Sequence, residues 1–156
     1  MTTVRWSGNL TKHFTLEEYY IGNSPSASLT ITKRAYLFAR LLEKFRVWLD
    51  KPMIVTSWKR SKSLNKRVGG ISTSNHLTGC AADWHISVKI TEAMFIKYAK
   101  RWKQICIAAG VVGEAGLYTW GVHFGIQNDA QVKANGGKFV NWDSRSGKQI
   151  TGAFDI

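Results

Sequence analysis

From about residue 32 to residue 49, apolar side chains recur at positions 37, 38, 41, 42, 45, 48 and 49. That i, i+3, i+4, i+7 rhythm belongs to a helix with one apolar stripe, and the stripe must be buried against another element. Thr91 opens a second stretch of the same kind. Phe95, Tyr98, Ala99, Trp102, Ile105, Cys106 and Ala109 fall on one face, and Gly110 follows. The remaining segments supply a surface for both helices. Residues 53–56 read as a short β-branched-rich strand, residues 80–88 as another, and residues 111–126 as a hairpin turning near Thr119 and Trp120. Shorter signals fill the gaps. Thr15 with Glu18 forms a capping box, residues 22–28 with Pro25 read as a loop, and Asp50-Lys51-Pro52 stops the first long helix. Residues 61–68 suit one or two helical turns ended by Gly69-Gly70. The last thirty residues, rich in Gly, Asn and Ser, read as loops with one or two edge strands. The expectation is an α+β fold, a small, mostly antiparallel sheet packed against two longer helices.

Bulk properties narrow the function classes. A length of 156 residues fits one domain, 1–156, with a loop-rich tail from about 127. Seven Trp, seven Phe and five Tyr among 44% hydrophobic residues provide a core and argue against disorder. Cys80 and Cys106 have no clustered spacing, which excludes a disulfide scaffold and argues against a thiolate metal site. Two buried free thiols are favoured over one bridge. No apolar run approaches the ~20 residues of a membrane span. Residues 1–12 are polar and lack a secretory signal, so the chain is expected to be made in the cytoplasm. A net charge of +12 favours polyanions. Nucleic acid, anionic wall polymers and membrane surfaces all fit it, as does a basic surface with no dedicated partner.

Chemistry centres on the few histidines: His13, His76, His85 and His123. His76 and Asp83 lie too far apart for one helical turn, but a turn at Thr78-Gly79 brings a loop His and a strand Asp together. His123, on the second strand of the hairpin, is the natural third donor. Three protein ligands with a fourth position open is the arrangement of a catalytic zinc. Taken alone, scattered histidines are more often hydrogen-bonded structure than ligands.

Two blocks carry a resemblance. Arg60-Ser61-Lys62-Ser63-Leu64-Asn65-Lys66-Arg67-Val68-Gly69-Gly70 is followed by Ser74-x-His76-x-x-Gly79-x-Ala81-x-Asp83. Together they resemble the core motif of the M15 peptidases, zinc D-Ala-D-Ala carboxypeptidases and peptidoglycan endopeptidases. The SxHxxGxAxD pattern is met at every fixed position. Trp120-Gly121-Val122-His123 matches the family's W-x-H segment with one extra residue, and residues 12–18 are similar to the phage-type branch. The resemblance covers about residues 10–130.

It implies a Hedgehog/D-Ala-D-Ala-peptidase-like fold and one zinc ion held by His76, Asp83 and His123. It gives Arg60 the task of holding a substrate carbonyl or carboxylate, for which a planar guanidinium is suited. Ser74 orients the His76 loop, contacts substrate, or simply caps. Many relatives place an acid three positions before the last zinc histidine; here that position is Trp120. Glu114 is the carboxylate closest to the ligand strand. A turn at Thr119-Trp120 sets residue 116 opposite His123 and points Glu114 to the same face, so Glu114 is the expected general base. His85, two residues after Asp83, is a proton donor, an outer-sphere group, an alternative ligand or a structural histidine; His13 reads as surface. Trp58, Trp84, Tyr118 and Trp120 are expected to line a groove, and Phe45, Trp48 and Trp102 the core. The implied activity is hydrolysis of peptidoglycan stem peptides next to D-Ala, with L-alanyl-D-glutamate cleavage, or a non-catalytic zinc-containing wall-binding module, as alternatives. The expected setting is a monomeric phage lysin or virion-associated protein. It would act on the wall after release, its basic surface holding anionic polymers, with no dedicated nucleic acid.

Overall fold

A computed structural model describes residues 7–24, 27 and 30–156. The loop expected at residues 22–28 lies partly outside the described residues. Thr15 caps α1 (Leu16–Tyr19), and both halves of the expected capping box are present. The two long amphipathic stretches become α2 (Lys33–Leu49), capped by Thr32, and α4 (Glu92–Ala108), capped by Thr91. Between them lie β1 (Ile54–Ser57), α3 (Lys62–Arg67), a 3₁₀ turn at Asn75–Thr78, and β2 (Ala81–His85). The hairpin follows as β3 (Gly113–Tyr118) and β4 (Gly121–Ile126), leaving residues 119–120 as its turn. The chain closes with α5 (Asp129–Ala134), β5 (Val140–Asp143) and β6 (Ile150–Thr151).

The six strands form one sheet in the order β1-β2-β4-β3-β5-β6. Every pairing is antiparallel except β3 with β5. The architecture is α+β, as the periodicity implied. Two features depart from expectation. The tail contains a helix, α5, and its first strand, β5, is not an edge but lies between β3 and β6, parallel to β3, which requires a crossover and has no local sequence signal.

Strand alternation divides the sheet into two faces. Ala82, Trp84, Ala115, Leu117, Val122, Phe124 and Ile126 are buried on the side covered by α2 and α4. Trp102 of α4 stacks on Phe124 at 4.9 Å and 5°, and Phe45 of α2 meets the same ring edge-on at 4.9 Å. Such aromatic pairs stabilise beyond simple area burial, by about 0.5–1.5 kcal/mol each. Trp48, expected in the core, is instead 36% exposed, with Lys97 and Arg101 each 5.8 Å from its ring. It falls at the edge of the apolar stripe, where a long cation can cover it. Cys80 and Cys106 are buried and free. The opposite face carries Gly116 together with Asp83, Glu114, Tyr118, His123 and Trp142, and the last five line one cleft of about 740 Å³.

Candidate metal centre

Asp83 and His123 are direct partners in the β2–β4 register, and Gly116 sits opposite His123 from β3. The backbone ladder therefore places a carboxylate and an imidazole side by side on the cleft face. His76 joins them from the 3₁₀ turn, where Ser74 is the cap and its Oγ accepts from the His76 backbone N–H at 3.3 Å. One ligand atom from each of His76, Asp83 and His123 lies within 4.8 Å of the others, and all three residues are buried. The two imidazole centroids are 5.1 Å apart.

The hydrogen bonds select which atoms converge. His76 Nδ1 donates to the Trp58 carbonyl at 2.6 Å, leaving Nε2 turned toward Asp83 Oδ1 at 3.2 Å. His123 Nδ1 lies 2.9 Å from the same Oδ1, while its Nε2 lies 3.0 Å from Glu114 Oε1. Arg60 takes the other carboxylate oxygen, Nη2 to Oδ2 at 3.1 Å. A backbone carbonyl behind one histidine and a carboxylate behind the other is the usual outer support of a metal-ligating imidazole, fixing tautomer and ring orientation. Two imidazole nitrogens and one carboxylate oxygen form a donor set suited to a borderline-soft divalent ion. The residues fit the metal that the motif implies.

Electrostatics follow from this packing. Burial disfavours charge on Asp83, yet the adjoining His76 and His123 outweigh it and hold its carboxyl well below the usual range. Burial also opposes charge on His123, but hydrogen bonds to Asp83 and Glu114 prevail and raise its pKa to about 9. Burial dominates at His76 and lowers its pKa. Near neutral pH the metal-free site is thus an ionised Asp83, a neutral His76 and a protonated His123. A divalent ion must displace one proton, from His123. Metal affinity is expected to rise about tenfold per pH unit up to roughly pH 9, hence about a hundredfold from pH 6.5 to 8.5. Competition against a chromophoric chelator would measure the slope, and a flat profile would contradict a site built on His123.

Two glycines make the geometry possible. A Cβ on Gly116 would sit 2.2 Å from Trp142 Nε1, so only glycine lets Trp142 lie over β3 and reach His123, 5.2 Å between centroids. A Cβ on Gly125 would meet Glu114 Oε1 at 2.4 Å, so glycine there admits the carboxylate beside His123.

The other expected site residues divide. Arg60 lines the cleft, with Nε on Ser57 Oγ at 2.8 Å and Nη1 on Asn65 Oδ1 at 3.4 Å. Tyr118 and Trp120 line it too. Trp58 and Trp84 do not: both are fully buried in the core and cannot line a groove. Trp84 follows Asp83 in a strand and must point to the opposite face, whereas Trp58 serves the site from behind, its carbonyl accepting from His76 and its Nε1 donating to the Gly79 carbonyl at 3.0 Å. His85 is outside the donor set. Its Nδ1 donates to the Ile86 carbonyl at 3.0 Å, and its ring faces a neighbouring cavity. His13 is paired with Glu43 at 2.7 Å, away from the cleft. Glu114 lines the cleft but is tied to His123 and to Asn75 Nδ2 at 2.9 Å. Asn75 and Trp142 escaped the sequence reading. Asn75 could have been suspected from its place beside His76, but nothing local marks Trp142.

Residues 12–114 match the family described as Peptidase M15. The chain belongs to the Peptidase M15 family. The matched stretch contains Arg60, His76 and Asp83 and ends at Glu114, so His123 comes to the site through β4 pairing beyond it. No curated protein matches the chain. M15 peptidases depend on a metal, and the His76–Asp83–His123 cluster gives this member a candidate site for one. Among the described residues, no helix is long and apolar enough to cross a membrane.

Proposed function

We propose that this M15 peptidase is a zinc enzyme that hydrolyses stem peptides of bacterial peptidoglycan, next to D-Ala. The observation carrying the reading is the convergence of His76 Nε2, Asp83 Oδ1 and His123 Nδ1 at the floor of an open cleft. A zinc ion there would supply Lewis acidity, polarising a carbonyl and making water nucleophilic near neutral pH. His76, Asp83 and His123 would hold it. Arg60 makes three side-chain hydrogen bonds, leaving two of a guanidinium's five donors for a substrate oxygen. Glu114 is the carboxylate available to accept a proton from water and return it to the leaving amine. Its tie to His123 also orients that ring, so one side chain serves both tasks. The basic surface would hold the anionic wall, the protein acting as a monomer on phage release or from the virion.

The placement of Glu114 on the Nε2 side of His123, with Trp120 where many relatives have an acid, supports one other reading, a wall-binding module that keeps its metal and cleaves nothing. Mass spectrometry of peptidoglycan fragments separates the two. The wild type with zinc is expected to release fragments cut next to D-Ala, and a chelator to stop it. Glu114→Gln keeps the shape and loses the charge. It should slow cleavage by about 10²–10⁴-fold, with the metal still bound. Intact peptidoglycan after digestion by the zinc-loaded wild type would rule out the enzyme.

A further inference from the structure

Tyr118, at the end of β3, and Trp120, in the hairpin turn, stack at 4.5 Å and 20°. The pair forms a wall shared by two cavities. One is the metal cleft; the other, about 540 Å³, is lined also by Ile54, His85, Val88 and Lys89. That volume lies within the roughly 300–1,000 Å³ of ordinary ligand sites. Ile54, Val88 and Trp120 are 44%, 57% and 45% exposed, so large apolar side chains gather around this second cavity in water. Clustered exposed apolar groups mark a binding surface more often than scattered ones do. Among the described residues no acidic one lines the cavity, whereas Lys89 lines it and is exposed. His85 uses Nδ1 on the Ile86 carbonyl, which leaves Nε2 to meet a ligand.

We infer that the second cavity is a subsite for the continuation of the peptide whose scissile bond lies at the metal cleft. It takes a segment with small apolar side chains and a carboxylate. The inference rests on the peptidase reading above and adds to it where the substrate runs and what it must carry. The occupant is set by continuity across the Tyr118–Trp120 wall and by charge. Methyl-sized side chains lie against Ile54 and Val88, and Lys89 pairs with the carboxylate.

Binding to chelator-treated protein tests this without requiring catalysis. The probe is the peptide L-Ala-D-Glu-L-Lys-D-Ala-D-Ala, fluorescein-labelled on the lysine. Its comparator carries D-Gln in place of D-Glu and a C-terminal amide. The wild type should bind the acid form several-fold more tightly than the amide form, a modest ratio because the pair is exposed. Lys89→Glu should abolish or reverse that preference, and Val88→Asp should weaken both peptides about tenfold. Equal binding of the two peptides by the wild type, or a preference that survives Lys89→Glu, overturns the subsite. Peptidoglycan hydrolysis by the same preparation with zinc restored reports on the peptidase reading separately.

Discussion

Asp83→Ala is expected to leave a protein that neither holds its metal nor cleaves peptide. The loss in kcat/KM should be on the order of 10³-fold or more, about 4 kcal/mol of transition-state stabilisation. The carboxylate is the hub of the site. One oxygen meets both histidines, and the other meets Arg60. Removing it also leaves a largely buried guanidinium without its counter-charge. Breaking a buried pair from one side costs about 3–5 kcal/mol, so the thermal midpoint should fall together with activity. Metal content, hydrolysis and a melting curve on one preparation check all three. An Asp83→Ala variant that still binds zinc stoichiometrically would remove the basis for this centre.

Phe124→Ala should produce the largest loss of stability without touching a donor atom. Phe124 occupies the helix-side face of β4, stacked on Trp102 and edge-on to Phe45, with Trp84 5.2 Å away. Truncating a buried phenylalanine costs about 3–5 kcal/mol, a large share of the roughly 5–15 kcal/mol of a typical domain. Its neighbour His123 points the other way, so the cavity would also loosen the strand that presents the third donor. Denaturant titration would measure the loss. A change below about 1 kcal/mol would mean that the ring does not carry the packing its contacts imply.

What could be read in advance follows from how locally each feature is encoded. The helices α2 and α4 announce themselves because each buries one stripe, and their caps, Thr32 and Thr91, stand where the apolar rhythm begins. The hairpin was legible because a two-residue turn fixes register, which in turn sets Gly116 against His123 and Glu114 on their face. By contrast α5 buries no residue, so it has no apolar stripe to detect, only its Asn128–Gln131 capping box. The β3–β5 pairing joins segments distant in sequence, and with it came Trp142, invisible until the parallel strand was placed. Trp84 is excluded from the cleft by strand parity alone, since neighbours in a strand face opposite ways. Parity says nothing of Trp58, because β1 ends at Ser57 and periodicity stops there. His85 shares the parity of Asp83, yet the Tyr118–Trp120 stack stands between its cavity and the metal cleft.

The direct pairing of Asp83 with His123 across β2 and β4 has one more consequence. Main-chain bonds, rather than an ion, keep those two donors adjacent, and a hydrophobic interior beneath them holds the strands in place. Small zinc modules with no such interior stay unfolded until metal arrives. Here assembly and loading would be separate events: the polypeptide can finish its sheet first, and the proposed metal ion would enter afterwards, in whichever surroundings offer it.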